Sequence, residues 1–400
     1  MKKIGIFVLT AVLSAIMLVL CACGTLSPEE TTETDVVFAF DLSKDGKSYS
    51  VKAATTGIGG DIVIPKSYNG LPVTSIDYYA FLDCTNITGI TIPDSVTYVD
   101  YYAFKDCKNL TSITIPGSVG SVSPRAFEGH SNLKSVTIGA KSIGERAFCG
   151  CKSLSEITLL DGVEYIGSLA FKDCESITDV NLPNSVKSIG SEAFESCGGL
   201  TSVIIPNGAE YIGSLAFAYC QNLTGITIPG SVGSVGSDAF YDCEALSKIN
   251  ISQGVKSIGG DAFYNCKSIE SLTLPESIIF IGDNAFSGCT LLKEITIPDG
   301  VEYIGNGAFG RCQNLESMAI PNGLTSLGAS VFHGCVKLKS IAVPKSVTSV
   351  GKYALNNCTS LTSITYNGTM AQWNAIEKGS DWNRNTPDYT VHCADGDIKK

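Results

Sequence analysis

The residues best suited to chemistry in this chain are its 16 cysteines, because a thiol can form disulfides, bind zinc or act as a nucleophile. Twelve of them stand in register with a repeat of 23 residues: Cys84, Cys107, Cys151, Cys174, Cys197, Cys220, Cys243, Cys266, Cys289, Cys312, Cys335 and Cys358. His130 takes the same place in the one remaining unit. This spacing supplies one thiol per unit and no Cys-x-x-Cys pair, so we expect no metal site.

Disulfides between neighbouring units are the alternative use of this cysteine column. Units stacked about 4.8 Å apart would bring their Cα atoms within disulfide range. In-register side chains point the same way, however, which disfavours the dihedral angle near 90° that a disulfide needs. We therefore expect buried thiols that pack as small hydrophobic groups. Cys149 and Cys393 lie outside the column and are the candidates for a reactive or disulfide-bonded thiol.

Other groups that commonly perform catalysis are scarce or scattered. The three histidines, His130, His333 and His392, lie in different parts of the repeat array, so they cannot form one site. No Gly-x-Ser-x-Gly elbow and no Walker-type phosphate loop occurs. We expect a protein that is not an enzyme, with no catalytic residues and no cofactor.

The composition limits the class of protein. The chain has 400 residues, 44% hydrophobic and 17% charged, and this combination excludes an intrinsically disordered chain. A net charge of −11 would repel phosphates, which argues against binding to nucleic acid. A single globular core usually stops growing at about 250–300 residues, so a chain of this length needs another architecture or several domains.

The first residues predict export and a lipid anchor. Lys2 and Lys3 precede the uncharged apolar segment 4–20, which is typical of a signal peptide. The following Leu-Cys-Ala-Cys sequence resembles the lipobox of bacterial lipoproteins, which implies a signal peptide over residues 1–22 and lipidation of Cys23. Cys21 is the competing lipidation site, and a plain signal peptide with a free thiol is the alternative. The acidic, Thr-containing segment 23–35 is expected to be a flexible tether.

A 23-residue period occupies most of the remaining chain. An Ala-Phe pair, or its equivalent, recurs in thirteen units, with the aromatic position at Phe81, Phe104, Phe127, Phe148, Phe171, Phe194, Phe217, Phe240, Phe263, Phe286, Phe309, Phe332 and finally Leu355. Every interval is 23 residues except the one from Phe127 to Phe148, which is 21. Such a short unit cannot bury its own apolar side, whereas a stack of units can, so the repeat predicts a solenoid.

Each unit contains the signals of a short strand and a turn. In the unit that starts at Cys220, alternating Leu and Ile residues predict a strand, and Pro229 ends it. Gly236 and its counterparts follow a second apolar pair, and a glycine at this place predicts a tight turn with positive φ. The Ala-Phe segment is too short for an ordinary helix and is expected to form one helical or 3₁₀ turn. Leu160, Ser252 and Gly139 replace the proline in three units, and we expect local bends there.

The pattern Cys-x-x-Leu-x-x-Ile-x-Ile-Pro-x-x-Val-x-x-Ile-Gly-x-x-Ala-Phe resembles the BspA-type, or Treponema-type, leucine-rich repeat. The resemblance covers residues 71–366. It implies a β-rich leucine-rich-repeat superhelix of about 13 coils with a parallel sheet on the concave side and short helical turns on the convex side. It also implies a bacterial surface protein, since several members are implicated in adhesion to host proteins or cells.

The two ends of the array are expected to be caps, because an open solenoid would expose its core. Two alternating runs around an Asp-Gly turn predict a β-hairpin in the N-terminal cap, residues 36–70. In the C-terminal cap, residues 367–400, Thr369 is placed to begin a helix that runs to Lys378 and is closed by Gly379. Trp373 and Trp382 are expected to seal the core rather than to bind a glycan.

The exposed strand positions are the candidate binding surface. A threonine column runs between the two inward Ile positions of the units and consists of Thr91, Thr114, Thr137, Thr158, Thr227, Thr273, Thr296 and Thr365. Its hydroxyls could bind a partner through many weak hydrogen bonds, although threonine is also simply favoured in strands. Charges in the later units, such as Lys293 and Glu294, would make binding there sensitive to salt. A second exposed set is Tyr98, Tyr165, Tyr211, Phe280 and Tyr303.

These features together predict a lipid-anchored protein of the bacterial cell surface or membrane. Its expected function is non-enzymatic binding, as an adhesin or interaction scaffold that uses the concave sheet. The expected partner is a host or neighbouring-cell protein or glycan, with the membrane contacted only through the N-terminal lipid. The alternative function is a structural or assembly role in the bacterial cell envelope without host contact.

Overall fold

The computed structural model describes residues 37–400, so the predicted signal peptide, Cys23 and the tether lie outside the described residues. The described part begins with five strands, which are β1 (Phe38–Leu42), β2 (Tyr49–Ala53), β3 (Gly59–Val63), β4 (Ser67–Tyr68) and β5 (Leu71–Ile76). Strands β1 and β2 form the predicted antiparallel hairpin, and β2 then pairs in parallel with β5. The hairpin therefore covers one open edge of the solenoid.

The repeats that follow alternate between a longer strand with an even number and a two-residue strand with an odd number. In chain order they are β6 (Asn86–Thr91), β7 (Tyr98–Val99), β8 (Ser112–Ile115), β9 (Ser121–Val122), β10 (Ser135–Ile138), β11 (Ser142–Ile143), β12 (Glu156–Leu159), β13 (Tyr165–Ile166), β14 (Asp179–Asn181), β15 (Ser188–Ile189), β16 (Ser202–Ile204), β17 (Tyr211–Ile212), β18 (Gly225–Ile228), β19 (Ser234–Val235), β20 (Lys248–Ile251), β21 (Ser257–Ile258), β22 (Ser271–Thr273), β23 (Phe280–Ile281), β24 (Glu294–Thr296), β25 (Tyr303–Ile304), β26 (Ser317–Ala319), β27 (Ser326–Leu327), β28 (Ser340–Val343), β29 (Ser349–Val350) and β30 (Ser363–Tyr366).

The last elements are the helix α1 (Met370–Ala375) and the strands β31 (Glu377–Lys378), β32 (Thr390–Cys393) and β33 (Gly396–Lys399). Thr369 caps α1 as predicted, since its hydroxyl accepts a hydrogen bond from the backbone N–H of Gln372. The helix is shorter than predicted, because Glu377 and Lys378 leave it to pair with β29. Gly379 follows this strand pair rather than closing the helix.

Even strands pair with even strands and odd strands with odd strands, and the pairing is parallel throughout the repeats. The predicted solenoid is confirmed, with about 15 turns rather than the 13 visible as Phe units. The additional turns come from the ends of the chain. Strand β3 pairs with β6, and β32 pairs with β30, so both caps continue the parallel ladder.

Two of the irregular units coincide with interruptions of the even-numbered ladder. The pairing is broken between β12 and β14 and between β20 and β22, directly after the units in which Leu160 and Ser252 replace proline. Unlike proline, both residues donate a backbone N–H to the preceding coil, Leu160 to Ile138 and Ser252 to Ile228. The odd-numbered ladder continues without a break from β9 to β25, so it holds these coils together.

A stack of phenylalanine rings forms the centre of the core. The twelve rings from Phe81 to Phe332 are fully buried, and their centroids lie 5.1 to 5.8 Å apart between neighbouring coils. The planes are within 14° of parallel. Each ring therefore contacts the ring above and the ring below, in the stacked range that favours aromatic pairs.

The cysteine column is buried as free thiols, as predicted. From Cys107 onward, each thiol also has a specific partner, since it donates a hydrogen bond to the backbone carbonyl of the Phe in the preceding coil, whereas Cys84 donates to Leu82 O. Cys220 reaches the carbonyl of Phe194 at 3.3 Å, and Cys243 reaches that of Phe217 at 3.1 Å. Burial raises the pKa of the Cys243 thiol to about 12, which holds it in the protonated form that can donate.

His130 performs the same task as the cysteines it replaces. Its Nε2 lies 3.0 Å from the carbonyl oxygen of Phe104, the position that a thiol occupies in the other coils. Burial lowers the pKa of His130, so the ring is held neutral in the folded protein. The substitution of histidine for cysteine in this column is therefore structural.

The glycine column does not have the positive φ that was predicted for it. None of the ten glycines from Gly144 to Gly351 adopts positive φ; they are required because the coils approach closely at this place. A Cβ atom on Gly236 would lie 2.6 Å from the carbonyl oxygen of Gly213 in the preceding coil. The positive φ falls two residues later, on side-chain-bearing residues such as Leu215 and Asp238.

The Ala-Phe segment forms consecutive hydrogen-bonded turns rather than the predicted helical or 3₁₀ turn. The N–H of Ala239 bonds to Gly236 O, and the N–H of Cys243 bonds to Phe240 O, each across three residues. The third residue of each turn, Asp238 or Asp242, has positive φ, as in a type II turn. The residue with positive φ in each turn prevents the segment from continuing as a helix. The N–H of Phe240 instead donates to the carbonyl of Ala262 in the next coil.

The C-terminal tryptophans lie against the last coil, as expected of an end seal. Trp373 is buried, and Trp382 is partly buried and packs against the core. The final strands β32 and β33 form an antiparallel hairpin at the end of the chain. In the described residues, 37–400, no helix has the length and apolar character needed to cross a bilayer.

Candidate functional site

The outward side of the even-numbered strands β6 to β30 carries the predicted binding residues, and we call it the threonine face. Seven of its eight threonines are exposed, and Thr137 is half-buried. No hydrogen bond joins any of the eight hydroxyls to another residue in the described part of the chain. They are therefore available to a partner. By contrast, Thr111, three residues before Thr114, donates its hydroxyl to the carbonyl of Thr88 at 2.9 Å.

The register divides these threonines into a row of four, a pair and two single residues. Thr91, Thr114, Thr137 and Thr158 lie opposite one another on four neighbouring strands and form a continuous row. Thr273 lies opposite Thr296, which makes a separate pair. Thr365 stands between Ala342 and His392, and Thr227 stands between Ile204 and Asn250. The structure therefore brings half of the predicted residues into one row and disperses the others.

An open depression of about 700 Å³ lies around Thr227. Its lining was not predicted as a site and combines apolar and polar side chains: Ile204, Ile249, Pro206, Asn184, Asn207, Asn250 and Lys248. Ile204 is 67% exposed, the most exposed of the large hydrophobic residues described. Gly225 has no side chain, whereas the neighbouring strands carry Ser202 and Lys248 at the same register. The missing side chain leaves room beside Ile204.

Two signals in the sequence could have located this depression. Ile204 is apolar in a column that is otherwise mostly threonine and asparagine. Gly225 has no side chain in a column that, apart from Gly89 in the first unit, otherwise carries serines and charged residues. The sequence analysis singled out only the threonines of this column. Lys248 is the one ionisable side chain among the residues that line the depression, so the lining offers contacts for binding and no acid–base pair.

The charges of the later coils pair with one another. Lys293 contacts Glu270 at 2.8 Å, and Lys339 contacts Glu316 at 2.8 Å, each between adjacent coils. The Lys293 ammonium accordingly lowers the pKa of Glu270. These exposed pairs neutralise one another, which weakens the basis for salt-sensitive binding at these coils. Glu294 has no salt bridge to a described residue.

The second aromatic set lies on the odd-numbered strands and is exposed. Tyr98, Tyr165, Tyr211, Phe280 and Tyr303 have exposed fractions of 40 to 51%. Phe280 and Tyr303 stack on each other with centroids 4.8 Å apart. These rings are therefore partly open to solvent, and Phe280 and Tyr303 also pack on each other between neighbouring coils.

Two kinds of site, a cluster of metal ligands and a glycine-rich phosphate loop before a helix, are absent from residues 37–400. No group of His, Cys, Asp and Glu in this part of the chain is placed to hold a metal ion. The sequence Gly305-Asn306-Gly307-Ala308-Phe309-Gly310 matches a nucleotide-binding glycine string by letters. It forms a repeat turn with no helix after it, so it lacks the helix N-terminus that binds phosphate.

Solved structures of bacterial repeat proteins are similar to this chain. A leucine-rich repeat protein from Bacteroides ovatus is 27% identical, with a TM-score of 0.60 and coverage of 88% of this chain and 98% of that chain. A leucine-rich cell surface protein from Faecalibacterium prausnitzii is 29% identical over 88% of this chain and 98% of that chain, with a TM-score of 0.47. No curated protein sequence matches the chain.

The repeat itself is matched by a family profile. The BspA type leucine-rich repeat region is found over residues 61–174, 141–270 and 256–376, which together span most of the chain. These segments include the threonine face, the cysteine column and the stacked phenylalanines described above. The repeat pattern, the parallel solenoid and this match agree, and the chain belongs to the BspA-type leucine-rich-repeat family.

Proposed function

We propose that this protein is a lipid-anchored bacterial surface protein that binds a host or neighbouring-cell protein or glycan through its threonine face. Leucine-rich-repeat proteins typically mediate protein interactions, are generally not enzymes, and in the BspA-type group are bacterial cell-surface proteins. The observation that carries the proposal is the depression around Thr227. It joins an exposed apolar side chain, Ile204, to unpaired amide and hydroxyl groups, the combination that interfaces use.

The binding proposal predicts loss of binding when bulky charges are placed on the threonine face. The variant Thr227→Lys/Thr273→Lys/Thr296→Lys puts a long cationic side chain into the depression and on two exposed positions of the same face. We expect saturable binding of the full chain, in mild non-ionic detergent, to one of a panel of extracellular-matrix proteins, host-cell surfaces and glycans. Affinity should fall about tenfold or more in the variant, because each lysine blocks a contact and adds desolvation cost.

The matched control variant places the same number of lysines on the odd-numbered strands instead of on the threonine face. Ser121→Lys/Ser234→Lys/Ser326→Lys adds three lysines at exposed positions of the odd-numbered strands, so its net charge equals that of the first variant. Its affinity should stay within about twofold of the parent, because exposed positions outside the interface are nearly neutral. Equal losses in both variants would contradict a site on the threonine face. No binding to any panel member would favour a structural role in the cell envelope.

The lipid-anchor proposal rests on the Leu-Cys-Ala-Cys sequence and has its own test. In bacteria that express the full chain, we expect incorporation of labelled palmitate and recovery in the membrane fraction, because two acyl chains suffice for stable anchoring. Both should be lost in Cys23→Ala and kept in Cys21→Ala, which separates the two candidate lipidation sites. A Cys23→Ala protein that still incorporates palmitate would refute the assignment.

A further inference from the structure

A group of five tyrosines lies on the first two coils, away from the depression around Thr227. We call it the tyrosine patch, and it consists of Tyr78, Tyr79, Tyr98, Tyr101 and Tyr102. Tyr78 and Tyr98 are each 51% exposed and Tyr101 is 47% exposed. Tyrosine is enriched at protein interfaces because it combines a large rigid contact area with a polar tip.

Three rings of the patch, those of Tyr78, Tyr79 and Tyr102, contact one another across the two coils. Tyr79 and Tyr102 are stacked with centroids 5.7 Å apart, and Tyr78 lies 4.1 Å from Tyr79. The hydroxyl of Tyr98 donates a hydrogen bond to Asp100 at 3.2 Å, and the same carboxylate accepts the backbone N–H of Tyr101. These contacts hold the rings in place before any partner arrives, which lowers the entropic cost of binding.

The fold itself does not require tyrosine at these positions. The next two coils have Pro124 and Arg125, then Glu145 and Arg146, at the places of Tyr78 and Tyr79. Tyr79 has φ of 55°, a left-handed conformation that a bulky side chain does not favour. Two successive Tyr-Tyr pairs at exposed positions therefore add aromatic surface without adding to the core.

The charges around the rings favour a cationic partner. Lys108 lies near Asp106 at 3.9 Å, whereas Asp77, Asp83 and Asp100 form no salt bridge with a described residue. One ring already faces a cation within the chain, since Lys105 Nζ lies 5.3 Å from the centroid of Tyr102. An arginine side chain could stack on the exposed rings and pair with these carboxylates at the same time.

From this geometry we infer that the tyrosine patch is a docking surface for a basic polypeptide segment that presents arginine side chains. The patch is separate from the threonine face, so the inference does not depend on the proposed function.

The test is a fluorescence-anisotropy titration of the full chain, in neutral detergent, with a labelled peptide of alternating arginine and glycine. A peptide of alternating glutamate and glycine is the charge control. We expect saturable binding of the arginine peptide, weakened about tenfold in Tyr78→Ser/Tyr98→Ser/Tyr101→Ser. This variant keeps every charge, so non-specific attraction to an acidic protein is unchanged. Its unfolding temperature should also be unchanged, because the three rings are exposed.

The matched variant Tyr165→Ser/Tyr211→Ser/Tyr303→Ser removes the same number of exposed tyrosines from later coils. It should bind the arginine peptide within about twofold of the parent. Three results would overturn the inference: equal affinity of the parent and the patch variant, equal loss in the matched variant, or binding of the glutamate peptide as tight as that of the arginine peptide.

Discussion

The variant Gly236→Val should lose about 3 kcal/mol of unfolding free energy, the upper end of the usual cost of overpacking a core. The valine Cβ would lie 2.6 Å from the carbonyl oxygen of Gly213 and 2.8 Å from that of Ile212. Both contacts are with the backbone of the preceding coil, which cannot rotate away as a side chain can. Chemical denaturation followed by circular dichroism would measure the loss.

Gly233 offers a matched control within the same coil. A Cβ on Gly233 would meet no atom within 4 Å, and its φ is not positive. The equivalent position of the next coil but one is Ile279, so a β-branched side chain is accepted in this column. Gly233→Val should change stability by less than about 0.5 kcal/mol. If the two valine variants were equally stable, close approach of the coils would not be the reason for glycine at position 236.

The variant Phe217→Ala should lose about 3–5 kcal/mol, as expected for truncation of a fully buried aromatic residue. Phe217 stacks on Phe194 and on Phe240 with centroids 5.4 and 5.6 Å apart, so its removal leaves a cavity that both neighbours line. Because a repeat protein is stabilised by contacts between adjacent coils, the loss should be concentrated there. Hydrogen exchange should show reduced protection first in the coils around residue 217.

Two further variants test whether the volume and the burial of the ring matter. Phe217→Leu should lose only about 1–2 kcal/mol, since leucine keeps most of the apolar volume and already ends the column at Leu355. Phe280→Ala removes a ring that is 40% exposed and should cost less than Phe217→Ala. A loss below about 1 kcal/mol in Phe217→Ala would show that the ring stack contributes little to stability.

Most of the fold could be predicted from the sequence because the period leaves little freedom. A unit of 23 residues must stack on its neighbours to bury its apolar columns, so the columns identify the core directly. Cys220 and Phe217 are buried in the structure for this reason. The Thr column faces outward for the same reason, because it alternates with the inward Ile positions on each strand.

The backbone conformation of the turn was not predictable in the same way. A recurring glycine can mean either positive φ or a close approach that excludes Cβ, and a single sequence does not distinguish the two. Gly236 is required because the backbone of the preceding coil lies too close for a Cβ atom, and the residue with positive φ is Asp238. The additional turns at the two ends could not be predicted from the repeat either, because β3 and β32 join the parallel ladder without carrying the Phe motif.

The sequence by itself determined the repeat, the buried columns, the outward threonine positions and the family resemblance, because each follows from one unit and its period. The tertiary structure decided which outward residues become neighbours. It placed Ile204 beside the gap at Gly225, and it gathered the tyrosines of two coils into one patch. These contacts form between coils, at positions where a unit departs from the consensus repeat. They depend on the register between coils and on the exposure of each side chain, and the repeat pattern contains neither.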